Sequence, residues 1–388
     1  MLGSIIGDIV GSIYEVKEVE AIKNGVDKKR SYEERIKILD KNIPLFSDEC
    51  SYTDDSVLTT AIADAIINNK DYETCLKNYG LKELDLGLDK YGRSRFGSGF
   101  VTWLKDNKQG NSYGNGSAMR IAPIGYLCNS IEEIKENVIE ATIPSHNHEE
   151  ALIGAEAVAV TIYMARNGFN KEEIKKYIED NYYKLNFDLE DLQKNYRFSS
   201  KCSTSVPQAL FIFLESNDFE DSIRKAISIG GDSDTIACIV GAISEAYYGI
   251  DENIKCEANK YIPKYIKDIL NQFYLKYEFL NFMNEQELFT TDFQKYVKNK
   301  IKILDEPIED GWYSCFPIVK NDILVDIKML VPKLKDEKTL LVNIHEYMHA
   351  MELYDKLGTV YVDNDIEYEK NAKSLEKQYL KRRNKNGW

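Results

Sequence analysis

The chain has 388 residues, of which 43% are hydrophobic and 29% charged, and its formal net charge is −14. This composition provides enough apolar material for a full core and excludes a mainly disordered chain. The acidic excess argues against a general binder of nucleic acid or anionic membrane, because phosphate contacts need clustered cations.

The N-terminal run MLGSIIGDIVGSIYE is apolar, but it has no basic region and contains Asp8. It predicts the start of a buried helix rather than a signal peptide. The seven cysteines are scattered and form no C-x-x-C pair. Since no run reaches the roughly 18 apolar residues of a membrane span, we expect a cytoplasmic protein without disulfides.

Helical periodicity dominates the first two thirds of the chain. Small and apolar residues recur at three- and four-residue spacing, which predicts helices over 57–68, 150–168 and 236–249. Gly168 and Gly249 mark helix ends. We therefore predict one all-α domain over residues 1–275, with helices packed closely together.

The pattern changes towards the C-terminus. Residues 276–305 are predicted to form a helical connector, and residues 306–388 a small α+β domain. The elements predicted in that domain are strands over 311–319 and 323–331, a turn at 320–322, and helices over 339–358 and 365–383.

Two segments, 51–56 (SYTDDS) and 230–235 (GGDSDT), place two acids and a threonine directly before an apolar helix. Helix N-capping explains one such side chain per helix. Capping explains less well why two acids and a threonine occur together in both segments, because close carboxylates repel each other without a cation. Oxygen-rich clusters of this kind suit Mg²⁺ or Mn²⁺. On the residues alone, capping and cation binding both remain open.

Glycine-rich segments form a further component. Residues 96–99 (FGSG) and 113–120 (YGNGSAMR) would let backbone N–H groups approach a phosphate closely, although such segments are also common as plain turns. The segment 145–149 (SHNHE) holds two of the four histidines of the chain.

These motifs together resemble the ADP-ribosylglycohydrolase family. The matching segments are GDIVGSIYE at 7–15, TDDSVLT at 53–59, YGNGSAMR at 113–120, SHNHEEA at 145–151 and GGDSDTIA at 230–237. The resemblance implies an orthogonal all-α fold with a centre of two Mg²⁺ (or Mn²⁺) ions. The cation ligands that it implies are Glu15, Thr53, Asp54, Asp55, Asp232, Asp234 and Thr235.

The resemblance also implies a substrate site. The residues that it assigns to substrate binding are Gly97, Gly99, Ser112, Tyr113, Gly114, Asn115, Gly116 and His146. Tyr113 is expected to stack on adenine and His146 to contact ribose or phosphate, whereas His148 is expected to be structural.

The activity expected from this site is removal of ADP-ribose from a modified protein or small molecule by cleavage of its C1″ glycosidic bond. A carboxylate would activate water or stabilise the oxocarbenium-like state. Glu15, Asp54 and Asp55 are the catalytic candidates, and the sequence does not separate base from ligand. The expected partners are ADP-ribose or ADP-ribosylated protein, with nucleic acid only as an ADP-ribosylated substrate and no membrane.

The C-terminal domain contains H-E-x-x-H at His345, Glu346 and His349. On a helix this spacing puts both imidazoles on one face, as one Zn²⁺ requires, and Glu346 can act as general base. With Glu369 as third ligand and Glu367 as the fallback, the unit resembles a minimal gluzincin metallopeptidase with a peptide substrate. The alternatives are a core helix with two outward histidines, and an ADP-ribose-recognising domain coupled to a zinc peptidase.

Overall fold

A computed structural model describes most of the chain. The residues described are 1–23, 28–89, 92, 94–106, 108–286, 289–305, 314–361 and 365–386, without the side chains of 16–31, 365 and 384–386. The chain folds into two compact units. The first unit comprises Met1–Ile66 and Lys70–Leu270, and the second comprises Ile67–Asn69 and Asn271–Trp388.

Every regular element among the first unit's described residues is a helix, apart from isolated bridges. Its helices are α1 (Leu2–Lys23), α2 (Lys28–Arg35), α3 (Asp54–Ile67), α4 (Tyr72–Asp85), α5 (Ser98–Lys105), α6 (Gly116–Met119), α7 (Ala122–Leu127), α8 (Ile131–Thr142), α9 (Glu149–Arg166), α10 (Lys171–Asn181), α11 (Leu189–Asn195), α12 (Cys202–Leu214), α13 (Phe219–Ser228), α14 (Ser233–Tyr248), α15 (Glu252–Ala258) and the start of α16 (Lys264–Met283), with one 3₁₀ turn at Ile36–Leu39. The prediction of an all-α domain is confirmed here.

The three helices predicted in this unit correspond to α3, α9 and α14. Gly168 and Gly249 follow α9 and α14 with φ of 82° and 74°, which L side chains rarely adopt. Both glycines therefore end their helices as predicted. No helix in the described part of the chain is long and apolar enough to cross a membrane.

Glycines on α1 bring it unusually close to α14. A Cβ at Gly7 would lie 2.0 Å from the carbonyl oxygen of Ala237, and one at Gly11 would lie 2.5 Å from Asp234 Cα. Neither position has room for a methyl group. Since α1 carries Asp8 and α14 carries Asp234, this close packing brings acids from both helices together.

The second unit is α+β over its described residues. Its elements are the end of α16, then α17 (Thr291–Lys298), β1 (Ile301–Leu304), β2 (Ser314–Lys320), β3 (Ile323–Pro332), α18 (Glu337–Asp355) and α19 (Asp365–Asn386). The strand order is β1-β3-β2. β2 and β3 are antiparallel and joined by a turn in which Asn321 and Asp322 have φ of 50° and 64°. The predicted residues 311–313 of the first strand lie outside the described residues.

The predicted helical connector over 276–305 is wrong at its end. Residues 301–304 form β1, which pairs in parallel with β3 and places Ile301 opposite Met329. The predicted helices over 339–358 and 365–383 are confirmed as α18 and α19.

The core of the second unit orients α18. Tyr347 is buried, and its ring packs edge-on against Phe279 with centroids 4.8 Å apart. Ala350 and Met351 are buried beside it. The opposite side of the helix turns His345 and His349 towards α19, where both are about one-sixth exposed.

Candidate active site

A cavity of about 680 Å³ lies in the first unit, within the usual range for small-molecule sites. Nearly all the residues of the first unit that were predicted to bind cations or substrate line this cavity. Those lining residues are Glu15, Thr53, Asp54, Asp55, Gly97, Gly99, Ser112, Gly114, Asn115, Gly116, His146, Asp232, Asp234 and Thr235. Segments far apart in the sequence therefore meet at one place, and their individual roles stay predictions.

Tyr113 is the predicted residue that is not among the lining residues described. Its side chain is 47% exposed. Its ring meets His148 edge-on with centroids 5.6 Å apart, and Lys201 Nζ lies 5.5 Å from the ring centroid. His148 itself accepts a hydrogen bond from the Glu150 amide at the start of α9, which is a structural role.

The carboxylates form two groups that share one residue. Oxygens of Asp8, Asp55 and Asp234 lie within 4.8 Å of one another, and so do oxygens of Glu15, Asp232 and Asp234. Asp54 lines the cavity and belongs to neither group. Two adjacent all-oxygen groups bridged by one carboxylate fit a pair of hard divalent cations.

Asp8 organises the start of α3, and the sequence analysis did not assign it to the site. It is fully buried and accepts the Thr53 amide at 2.9 Å and the Thr53 hydroxyl at 2.6 Å. The Ser56 amide at 3.0 Å and the Ser56 hydroxyl also donate to it. These bonds hold the 53–56 segment against α1. The available signal was an acid inside an otherwise apolar helix.

The start of α14 shows that capping does not explain its acids. Asp232 occupies the N-cap position but makes no capping hydrogen bond. Its carboxylate instead accepts Asn115 Nδ2 at 2.8 Å, while Asp234 accepts the neighbouring Thr235 amide at 2.9 Å. Asp55 Oδ1 is buried with no hydrogen-bond partner in the described structure. A buried carboxylate oxygen of this kind, close to other carboxylates, has the chemistry of a cation ligand.

Burial and mutual repulsion dominate the electrostatics of this centre. Burial, followed by the charges of neighbouring carboxylates, raises the pKa of Asp54, Asp55 and Asp234 well above the usual value. Burial also raises the pKa of Asp8 and Asp232. Divalent cations would offset this repulsion and keep the acids ionised.

The second unit holds a separate cluster of potential metal ligands. His345 Nε2 lies 3.2 Å from Glu369 Oε1 and 3.0 Å from His349 Nε2, and His349 Nε2 lies 3.5 Å from the same Glu369 oxygen. His345 Nδ1 donates to Glu376 at 2.6 Å, a partner that the sequence analysis missed. With Nδ1 protonated, a neutral His345 points its Nε2 lone pair at the other two ligands.

Glu346 lies beside this cluster and is largely buried. Burial raises the pKa of Glu346 to about 7, and its carboxylate accepts the backbone N–H of Cys315 on β2. Burial lowers the pKa of His349, which favours the neutral imidazole that binds metals. The alternative of a plain core helix required two histidines that point outward into solvent. The two histidines instead face α19 and are mostly buried.

The first unit is thus a helical protein with a buried acidic centre beside a ligand-sized cavity, and comparisons with known proteins give its class. A sequence model of the ADP-ribosylglycohydrolase family matches residues 1–277. The chain therefore belongs to the ADP-ribosylglycohydrolase family, and the prediction that it is a glycosidic-bond hydrolase of this class is confirmed. Residues 278–388 lie outside that match.

The individual relatives have low sequence identity to this chain. The ADP-ribosylhydrolase ARH3 of Mus musculus is 23% identical over 318 residues, covering 65% of this chain and 83% of the relative. The ADP-ribosylarginine hydrolase Tri1 of Pseudomonas putida is 26% identical over 226 residues, covering 51% and 59%. A solved chain described as an ADP-ribosylglycohydrolase-related protein complex aligns over 58% of this chain and 78% of its own length, with 20% identity and a TM-score of 0.41.

Proposed function

We propose that the first unit removes ADP-ribose from a modified protein or small molecule by hydrolysing the C1″ glycosidic bond at a centre of two divalent cations, Mg²⁺ or Mn²⁺. The observation that carries this proposal is the pair of acid groups that share Asp234, whose members except Asp8 all line the cavity. Family membership supports the reaction, and the names of the relatives support ADP-ribosylated substrates.

The ligand set fits the cations on its chemistry. Glu15 and Asp232 would hold one cation and Asp8 and Asp55 the other, with Asp234 common to both. When bound, the cations supply fixed positive charge that orients the ribose hydroxyls and keeps the carboxylates ionised. Asn115 holds Asp232 through its amide, and this limits the motion of one ligand before substrate arrives.

The residues of this chain have separable tasks in the reaction. Gly114, Gly116 and His146 line the cavity and would lie against the diphosphate and ribose. The amides of Gly114 and Asn115 donate to Ser112 Oγ and to the Ser200 carbonyl, which holds this segment in place. A carboxylate among Glu15, Asp54 and Asp55 would accept the proton of the attacking water. Asp54 is the best placed of the three, because it lines the cavity outside both cation groups.

The test is ADP-ribose release from Arg-linked, Ser-linked and base-linked substrates, each with Mg²⁺ and with chelator. We expect Mg²⁺-dependent release from at least one linkage, which also names the substrate class. Asp54→Asn should lower kcat by at least about 100-fold with Mg²⁺ affinity nearly retained, whereas Asp55→Asn should weaken Mg²⁺ binding. Binding of ADP-ribose without release from any substrate would contradict hydrolysis and favour a recognition module.

For the second unit we propose one Zn²⁺ bound by His345, His349 and Glu369, in a small zincin-like domain that hydrolyses peptide bonds. The observation in favour is the convergence of three ligand atoms that the sequence separates by 24 positions. Glu346 would act as general base, since its pKa of about 7 suits proton transfer at neutral pH. If the first unit only recognised ADP-ribose, this site would carry the catalysis.

Zinc content and peptide cleavage test this second proposal independently of the first. We expect one Zn²⁺ per chain in the wild type, loss of zinc in His349→Ala, and full zinc content in the control His148→Ala. Glu346→Gln should keep zinc and reduce cleavage by at least about 100-fold. Zinc-free wild-type protein that folds normally would contradict the proposal.

We also propose that the protein acts in the cytoplasm. All seven cysteines are free, and five of them are buried. Free thiols in this number suit a reducing compartment, which supports the cytoplasm as the place of action.

A further inference from the structure

A fully buried guanidinium lies behind His146. Arg120 has no exposed surface, and its Nη2 donates to Ser145 Oγ at 2.8 Å and to the Ala141 carbonyl at 3.0 Å. No carboxylate pairs with it in the described part of the chain, and burial lowers its pKa to about 9. A buried cation without a counterion is costly, so this placement calls for an explanation.

Ser145 links Arg120 to the histidine ring. Ser145 Oγ lies 2.7 Å from His146 Nδ1, and both residues are buried. Because a guanidinium can only donate, Ser145 Oγ must accept from Arg120, and its own hydrogen is then available for Nδ1. The reverse arrangement, with Nδ1–H donating to Oγ, would leave the hydroxyl hydrogen without an acceptor among the described residues. Nδ1 is therefore the acceptor.

The other ring nitrogen faces the cavity. A Cβ at Gly116 would lie 3.1 Å from His146 Nε2, and one at Gly114 would lie 3.8 Å from it. Both glycines line the cavity together with His146. The described residues offer Nε2 no hydrogen-bond partner, so whatever Nε2 binds comes from the ligand. Burial, together with the charge of Arg120, lowers the pKa of His146 well below its usual value and keeps the ring neutral.

We propose that Arg120 and Ser145 are positioning residues that fix His146 as the Nε2–H tautomer, so that the ring donates a hydrogen bond to an oxygen of the bound ADP-ribose. The proposal rests on the proposed function insofar as ADP-ribose occupies the cavity. The order of donors runs in one direction: Arg120 donates to Ser145, Ser145 donates to His146, and His146 donates to the ligand. A ring with the opposite tautomer would present a lone pair to phosphate or hydroxyl oxygens and would repel the former.

Nitrogen NMR of the ligand-free protein tests the tautomer directly. Labelled histidine rings distinguish the two neutral tautomers and the imidazolium, and His146→Gln identifies which of the four histidine signals belongs to His146. We expect the neutral Nε2–H form at pH 7 in the wild type and in Ser145→Thr, and a mixture of tautomers in Ser145→Ala. An Nδ1–H or charged ring in the wild type, or an unchanged tautomer in Ser145→Ala, would overturn the proposal.

Calorimetric titration with free ADP-ribose tests the consequence for binding. Ser145→Ala should weaken binding by about tenfold, and Ser145→Thr, which keeps a hydroxyl, should restore most of it. Equal weakening in both variants would indicate a packing role and would contradict the relay. If the wild type fails to bind ADP-ribose, the proposed function is refuted, while the ligand-free tautomer still decides the relay.

Discussion

Asp234 is the carboxylate that both acid groups share, and replacing it separates a cation centre from a structural cap. Asp234→Asn removes one negative charge that lies within 4.8 Å of the ligand oxygens in both groups. The asparagine keeps an oxygen that can accept the hydrogen bond from the Thr235 amide, which is 2.9 Å from Asp234 Oδ1 in the wild type. The substitution therefore changes charge while preserving the local hydrogen bond.

The two interpretations predict opposite signs for the stability of the metal-free protein. At an effective dielectric constant near 20, two unit charges about 5 Å apart repel by about 3 kcal/mol, and partial protonation reduces this. We therefore expect Asp234→Asn to stabilise the chelator-treated protein by about 1–2 kcal/mol, which raises Tm by a few degrees. A cap would give no gain.

Mg²⁺ should reverse the stability difference, so that the wild type has the higher Tm. The variant should bind Mg²⁺ at least about 100-fold more weakly, which corresponds to about 2.7 kcal/mol. At Mg²⁺ concentrations that saturate the wild type, the wild type gains Tm by mass action and the variant gains little. Differential scanning fluorimetry across a Mg²⁺ series, with calorimetric titration for affinity, measures both effects.

Asp64→Asn is the matched control. Asp64 is also a buried acid of the first unit, but it pairs with Lys70 Nζ at 3.0 Å. Its replacement should lower Tm with and without Mg²⁺ by similar amounts, because it breaks an ion pair that lies outside both acid groups. A cation centre at Asp234 would be refuted if Asp234→Asn lowered Tm in chelator as Asp64→Asn does, or if Mg²⁺ raised Tm equally in variant and wild type.

Three further perturbations test the acidic centre, the packing of α1 on α14 and the histidine cluster of the second unit. The buried acids with raised pKa values bind more protons in the folded state than in the unfolded state. The stability of the metal-free protein should therefore fall as pH rises from about 4 through their folded pKa values. Denaturant midpoints from pH 5 to 8 in chelator measure this fall, and saturating Mg²⁺ should abolish it. Gly7→Ala should destabilise the first unit by about 3 kcal/mol, because its methyl group would meet the Ala237 carbonyl oxygen at 2.0 Å; chemical unfolding measures the loss, and a neutral effect would mean that α1 and α14 pack less closely. Glu376→Gln should weaken Zn²⁺ binding by about 10- to 100-fold, because a carboxylate that accepts from His345 Nδ1 strengthens the ring as a ligand; competition with a chromogenic chelator measures the affinity, and an unchanged value would exclude that role.

The sequence predicted the parts of the site that are contiguous. Each acid pair sits with its threonine directly before an apolar helix, so 53–55 and 232–235 could be found by pattern alone. H-E-x-x-H was found for the same reason, since its spacing is that of one helix face. Local motifs of this kind carry their own structural context.

The residues that were missed depend on packing between distant segments. Asp8 is an isolated acid in an apolar run, and its role follows only when α1 meets the start of α3. β1 has four residues, and its strand character comes from pairing with Met329 and its neighbours. Glu376 is one acid among many on the charged helix α19, and only the contact with His345 distinguishes it.

Diffraction at the manganese absorption edge from crystals soaked in Mn²⁺ tests the central claim most directly. We expect two anomalous peaks at the cavity of the first unit, with Asp234 bonded to both, and their loss in Asp234→Asn. A single peak, peaks away from the acid groups, or an empty cavity at saturating Mn²⁺ would contradict the two-cation centre.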